Sequence, residues 1–186
     1  MCAVVFASAC ATGDGLPDGS DRDARVTRTV VTLHDDGTES VTQSEITVAE
    51  QQAELARNQA LEEDYLSRPE GVAFADPPVR DGSCSWYSLK LFDGQTYTGN
   101  YICFTGNGFV NLGNYCRTVC AAGFCFCGGR WAGAVRAYWS GSNFGWYQSN
   151  GVECPADDFM PQYEARSTVS SCIQNANYVV MNYSKL

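Results

Sequence analysis

Cys116, Cys120, Cys125 and Cys127, spaced C-x3-C-x4-C-x-C, form the densest group of reactive side chains in this sequence. Four thiolates can hold a tetrahedral metal, or the same sulfurs can join in pairs as disulfides. Structural zinc sites favour paired C-x2–4-C knuckles, and here one such spacing is followed by C-x-C. Cys84, Cys103, Cys154 and Cys172 extend the group to eight within a Gly- and aromatic-rich segment, whereas Cys2 and Cys10 lie in a short apolar N-terminal stretch. An even set of eight reads as a disulfide framework made in an oxidising compartment, with no metal and no other cofactor expected. About a hundred connectivities remain open for eight cysteines. Cys125 and Cys127 would share one face of a strand, so they are expected to take different partners.

Other chemistry is sparse. The single histidine, His34, adjoins a predicted turn in an acidic segment, and residues 81–186 contain none. That removes Ser-His and Cys-His nucleophilic machinery from the cysteine-rich part. Its carboxylates are Asp81, Asp93, Glu153, Asp157, Asp158 and Glu164. A glycosidase needs two carboxylates set across a sugar, but none of these stands in a local signature, and Asp157-Asp158 reads as a solvated loop. The aromatic series offers more. At Tyr138-Trp139 and Trp146-Tyr147, strand alternation sends one ring of each pair inward and the other outward. These four residues are the candidate binding surface, for stacking on sugars or anchoring a protein partner.

The charge distribution divides the chain. Residues 11–80 carry fifteen Asp and Glu against six Arg, the whole formal net charge of −9, whereas residues 81–186 balance. Neither part has the basic stripe that nucleic acid requires, so nucleic acid is not an expected partner. In the acidic part, β-branched runs flank Asp35-Asp36-Gly37, a hairpin signal, and Thr47 with Glu50 forms a capping box opening a helix to about Leu66. The helix has a narrow apolar stripe of Val48, Ala49, Ala53, Ala56, Ala60, Leu61 and Tyr65, which favours a solvated spacer over a docked element. Residues 11–80 are therefore expected to be an acidic tether, with Asp76-Pro77-Pro78 marking the boundary to a domain at 81–186. In that domain, short strands are expected at Ser85–Phe92, Gly99–Phe104, Gly108–Leu112, Ala134–Trp139, Gly145–Gln148 and Tyr178–Tyr183, the pattern of an antiparallel sandwich or barrel.

Phe92-Asp-Gly94 … Tyr97-Thr-Gly99 also aligns with Trp139-Ser-Gly141 … Phe144-Gly145, each copy reading as a folded hairpin in which the Gly adopts a backbone closed to other residues and the ring covers the turn. These residues resemble the repeat of the βγ-crystallin-like superfamily, which includes small secreted bacterial peptidase inhibitors; the resemblance covers about residues 85–183. It implies an all-β, disulfide-stapled, antiparallel Greek-key sandwich. The calcium-binding members' acidic pair is replaced by Arg166-Ser167 in one copy and Ala132-Gly133 in the other, so no metal is expected there either. At the other end, Phe6-Ala7-Ser8-Ala9-Cys10 resembles the lipobox of bacterial lipoproteins. That resemblance makes residues 1–10 the remainder of an export signal and Cys10 a lipid-attachment site, with the membrane contacted through the lipid alone and the protein in the cell envelope or outside the cell.

Together these readings describe a non-enzymatic secreted or surface lipoprotein. The resemblance implies a peptidase as partner, with Gly113–Gly129 as the stiff loop. The alternative is a module for cell-surface glycan or protein built on exposed aromatics.

Overall fold

The computed structural model describes residues 23–69, 83–121 and 124–183. Cys2, the lipobox with Cys10, the polar stretch after it, the Asp76-Pro77-Pro78 boundary and Asp81 lie outside them. Two strands and a helix come first: β1 (Arg25–Leu33), β2 (Glu39–Thr47) and α1 (Val48–Ser67). The Asp-Gly signal holds, because Gly37 takes φ +81° and the Asp36 carboxylate accepts from the Thr38 N–H at 2.9 Å, which turns the chain back in register. The capping box also forms, with the Glu50 N–H donating to Thr47 Oγ1 and the Thr47 N–H to the Glu50 carboxylate. Then follow β3 (Leu89–Phe92), β4 (Tyr101–Thr105), β5 (Gly108–Asn111), β6 (Cys116–Ala121), β7 (Phe124–Arg130), β8 (Ala137–Trp139), β9 (Asn143–Ser149), β10 (Val152–Glu153), β11 (Ala165–Arg166), the single-turn α2 (Ser171–Gln174) and β12 (Tyr178–Tyr183). All six strands expected from the sequence are present.

The strands make a six-stranded sheet ordered β11-β8-β3-β4-β1-β2, a four-stranded sheet ordered β10-β9-β12-β5 and the separate β6-β7 ribbon. The fold is mostly β, but not wholly antiparallel: β1 runs parallel to β4, Arg28–Thr32 lying beside Tyr101–Thr105. This corrects the expected tether. From Arg25 to Ser67 the acidic segment is part of the fold, with β1 interior to the larger sheet and Val31 in its core. Charge counting misled because most of the acidic side chains line the solvent faces, Glu54 and Glu62 are buried with partners beneath α1, and the alternate residues of β1 face inward.

One core lies between the two sheets, with Leu89, Leu91, Ile102 and Phe104 from one meeting Val110, Tyr147, Val179 and Met181 from the other. A second cluster, including Phe92, Tyr101, Cys103 and Trp139, covers the opposite face of the larger sheet, beneath α1. Disulfides join Cys84 to Cys103, Cys116 to Cys127 and Cys154 to Cys172, and Cys125 is also disulfide-bonded. Cys120 stands opposite Cys125 in the β6-β7 register. Cys125 and Cys127 thus have different partners, as C-x-C geometry requires. Such bonds belong to an oxidising, non-cytoplasmic compartment. No described helix is long and apolar enough to cross a membrane.

The two aligned aromatic-Gly copies are not structural equivalents. The first is a hairpin between paired β3 and β4, with Tyr97 packed edge-on against Phe92 at 5.6 Å and Gly99 at φ +77°. The second links β8 to β9, which lie in different sheets, so its chain crosses between layers. Gly145 there is required by proximity rather than by φ: a Cβ would stand 1.8 Å from the Val180 carbonyl oxygen.

Candidate functional site

Among the described residues, β7 of the β6-β7 ribbon carries the most exposed of the large apolar side chains, Phe124. Alternation along β7 sets Cys125 and Cys127 on one face and Phe124 and Phe126 on the other. The cysteine face lies toward the β1-β2 hairpin, where Thr118 Oγ1 donates to Gln43 Oε1 at 3.2 Å. The Phe face looks outward, Phe124 being 78% and Phe126 56% exposed, values that leave each ring free to enter another molecule. At the base, the buried Tyr115 hydroxyl donates to the Glu39 carboxylate at 2.5 Å, and the Trp131 backbone N–H donates to the Tyr115 carbonyl. The Cys116–Cys127 bond crosses the ribbon just above this clamp. A covalently tied, clamped two-stranded ribbon loses little entropy on docking.

Of the four candidate aromatics, Tyr138 and Tyr147 are brought together, their ring centres 5.8 Å apart, and the two tryptophans lie elsewhere. Tyr138 and Tyr147 are wholly buried between the sheets, where Tyr138 donates to the Glu164 carboxylate and Tyr147 lies 3.6 Å from Met160 Sδ. Trp139 takes the opposite face, as alternation demands, yet α1 covers it and its indole N–H donates to Glu62 at 2.9 Å. Only Trp146 keeps an exposed part. Three of the four candidate surface rings are therefore corrected to core: Tyr138 and Tyr147 are the inward rings of their pairs, as alternation expects, and Trp139 is buried because α1 covers the outward face of β8.

Among the carboxylates, Glu153 and Asp157 are exposed. Asp158 corrects the solvated-loop expectation: it is buried, accepts from Ser170 Oγ at 2.5 Å and lies 3.9 Å from Arg166. Ser170 caps α2, so one acid anchors the helix start. Glu164 meets the same arginine at 3.2 Å. Asp158 and Glu164 thus share a cation instead of facing each other across an open cleft. Asp93 accepts from Asn100 at 2.9 Å, and burial raises its pKa. His34 is exposed and lies 2.6 Å from Ser40 Oγ.

Neither a family model nor a curated protein nor a solved structure matches this chain.

A polar layer beneath α1 escaped the sequence reading. Gln51, Glu54, Asn58 and Glu62 form the buried stripe of the helix, while Ala49, Ala53, Ala56 and Ala60 face solvent. Gln51 donates to the Gly99 carbonyl at 2.9 Å, and Asn58 to the Cys84 carbonyl at 3.3 Å. The fully buried Lys90 ammonium donates to the Trp86 and Ser88 carbonyls and lies 5.2 Å from the centre of the Trp139 ring. Burial lowers its pKa from 10.5 to about 8 against the opposing pull of Glu62 and Glu54; burial raises that of Glu62. A lysine acidified by folding costs stability while charged, and the cost fades as pH rises through its folded value. Urea unfolding is expected to show stability rising by about 1 kcal/mol from about pH 7 to about pH 9. Above about pH 10 the trend reverses, because the burial that raises the pKa values of Tyr101 and Tyr138 favours ionisation of the unfolded chain. Lys90→Met removes the rise; a flat wild-type profile would remove the assignment.

Proposed function

We propose that this chain is an exported, non-enzymatic protein of βγ-crystallin-like type that inhibits a peptidase by docking its β6-β7 ribbon into the enzyme's cleft. The observation that carries this reading is the disulfide-tied ribbon with two outward phenylalanines on a clamped base. The strand order supports the fold assignment. β3, β4, β5 and β8 form one four-strand unit and β9, β10, β11 and β12 the other, and each places its third strand in the other's sheet. Two interlocked Greek keys produce this exchange. The disulfides support export, and Cys10 is the proposed lipid anchor.

Aromatic side chains presented on a rigid element suit peptidases with a deep apolar specificity pocket. The test is titration of a panel of such enzymes, chymotrypsin-like ones first, with the intact protein. Stoichiometric inhibition is expected, and Phe124→Ala with Phe126→Ala should weaken it at least about a hundredfold without lowering thermal stability. Hydrolysis of the intact ribbon across the panel, with no inhibitory complex, would exclude the reading.

A further inference from the structure

The outer face of the four-stranded sheet is a second, differently built surface. Pairing in register places Phe109 of β5, Val180 of β12 and Trp146 of β9 in one row across it. The adjacent residues Val110, Val179 and Tyr147 point the other way, into the core. Phe109 is 58% exposed, with one ring face stacked on Tyr178 at 4.7 Å; Trp146 is half-buried with its indole nitrogen covered, and Phe144 beside it is 36% exposed, so aromatic surface reaches solvent at both ends of the row. Between the rings, the same face carries the amides of Asn111, Gln148 and Asn182. β5, β9 and β12 contain no charged residue, and the charge the sheet does carry on this side is the carboxylate of Glu153 on β10, opposite Gln148.

We infer that this face binds a neutral glycan chain built of β-1,4-linked pyranose rings. A polyanion is disfavoured, because the face offers no cation and the chain carries a net charge of −9. A pyranose presents an apolar C–H face that packs on an aromatic ring, while its equatorial hydroxyls pair with flanking amides. Phe109 and Trp146 stand on strands two intervals apart, about 10 Å across the sheet, which suits alternate rings of an extended chain. The face is flat and half polar, unlike the ribbon, whose outward side is two bare phenylalanines. Glycan binding here is independent of peptidase inhibition and would hold the inhibitor on a cell wall or matrix.

The test is retention of the intact protein on insoluble cellulose and chitin at about 1 M NaCl, where surface charge is screened. Titration with cellohexaose and chitohexaose is followed by tryptophan fluorescence. Trp86, Trp131 and Trp139 are buried, so a fluorescence change reports Trp146. Retention on at least one polysaccharide is expected, and Phe109→Ala and Trp146→Ala should each weaken it about tenfold or more while melting with the parent. Phe124→Ala with Phe126→Ala should leave retention intact, which separates this surface from the ribbon. Failure to bind either polysaccharide would overturn the inference. So would a self-association, seen by sedimentation, that Phe109→Ala abolishes, since the face would then belong to a second copy of this chain.

Discussion

Glu54→Ala is expected to destabilise the protein by about 3–5 kcal/mol, measured by urea unfolding at neutral pH. One oxygen of this carboxylate meets Arg28 at 2.5 Å; the other accepts from the Tyr101 hydroxyl at 3.0 Å and the Cys84 N–H at 3.2 Å. Truncation leaves a nearly buried guanidinium, a buried phenol and a buried backbone donor without their acceptor. Glu54→Gln retains an acceptor but loses the charge, and should cost roughly 1–2 kcal/mol. Ala56→Gln and Ala60→Gln, on the opposite side of α1, should change stability by less than about 0.5 kcal/mol. The reverse order, with the alanine replacements costly and Glu54→Ala mild, would mean that α1 docks through its apolar stripe.

Gly145→Ala should cost about 3 kcal/mol or more. The added methyl would meet the Val180 carbonyl oxygen at 1.8 Å, and neither side has room to yield. β9 is paired with β12 at this point, while on its other edge Gly145 exchanges backbone hydrogen bonds with Met160 at 3.0 and 2.9 Å. Gly151→Ala is the control. It sits at φ +79° in open space, so it carries only left-handed strain of about 1 kcal/mol. Equal losses at the two positions, seen in parallel melts, would show that backbone conformation rather than contact makes Gly145 necessary.

Local signals read well from the sequence. The Asp36-Gly37 turn, the Thr47–Glu50 capping box and six strands depend on neighbours a few residues apart, and each is present. The docking face of α1 did not read, because hydrophobic periodicity scores apolar side chains and this helix buries polar ones. Glu54 becomes a good interior residue only when Arg28 and Tyr101 are supplied by strands distant in sequence. The candidate surface failed for a related reason. Alternation separated Tyr138 from Trp139 as expected, but pattern alone does not reveal that a helix lies over the outward side. The exposed row of Phe109 and Trp146 was equally hidden, since it exists only when β12 lies between β5 and β9.

By its own composition, the chain determined a disulfide framework, its oxidising compartment, a mostly β architecture and the local starts of its hairpin and helix. These follow from side-chain chemistry and short-range geometry. Tertiary structure alone decided that the acidic segment joins the larger sheet, that three of four candidate rings are core, and that four exposed phenylalanines lie on the β6-β7 ribbon and the outer face of the smaller sheet. Exposure is a property of what covers a residue. In this protein the covering elements come from distant parts of the chain.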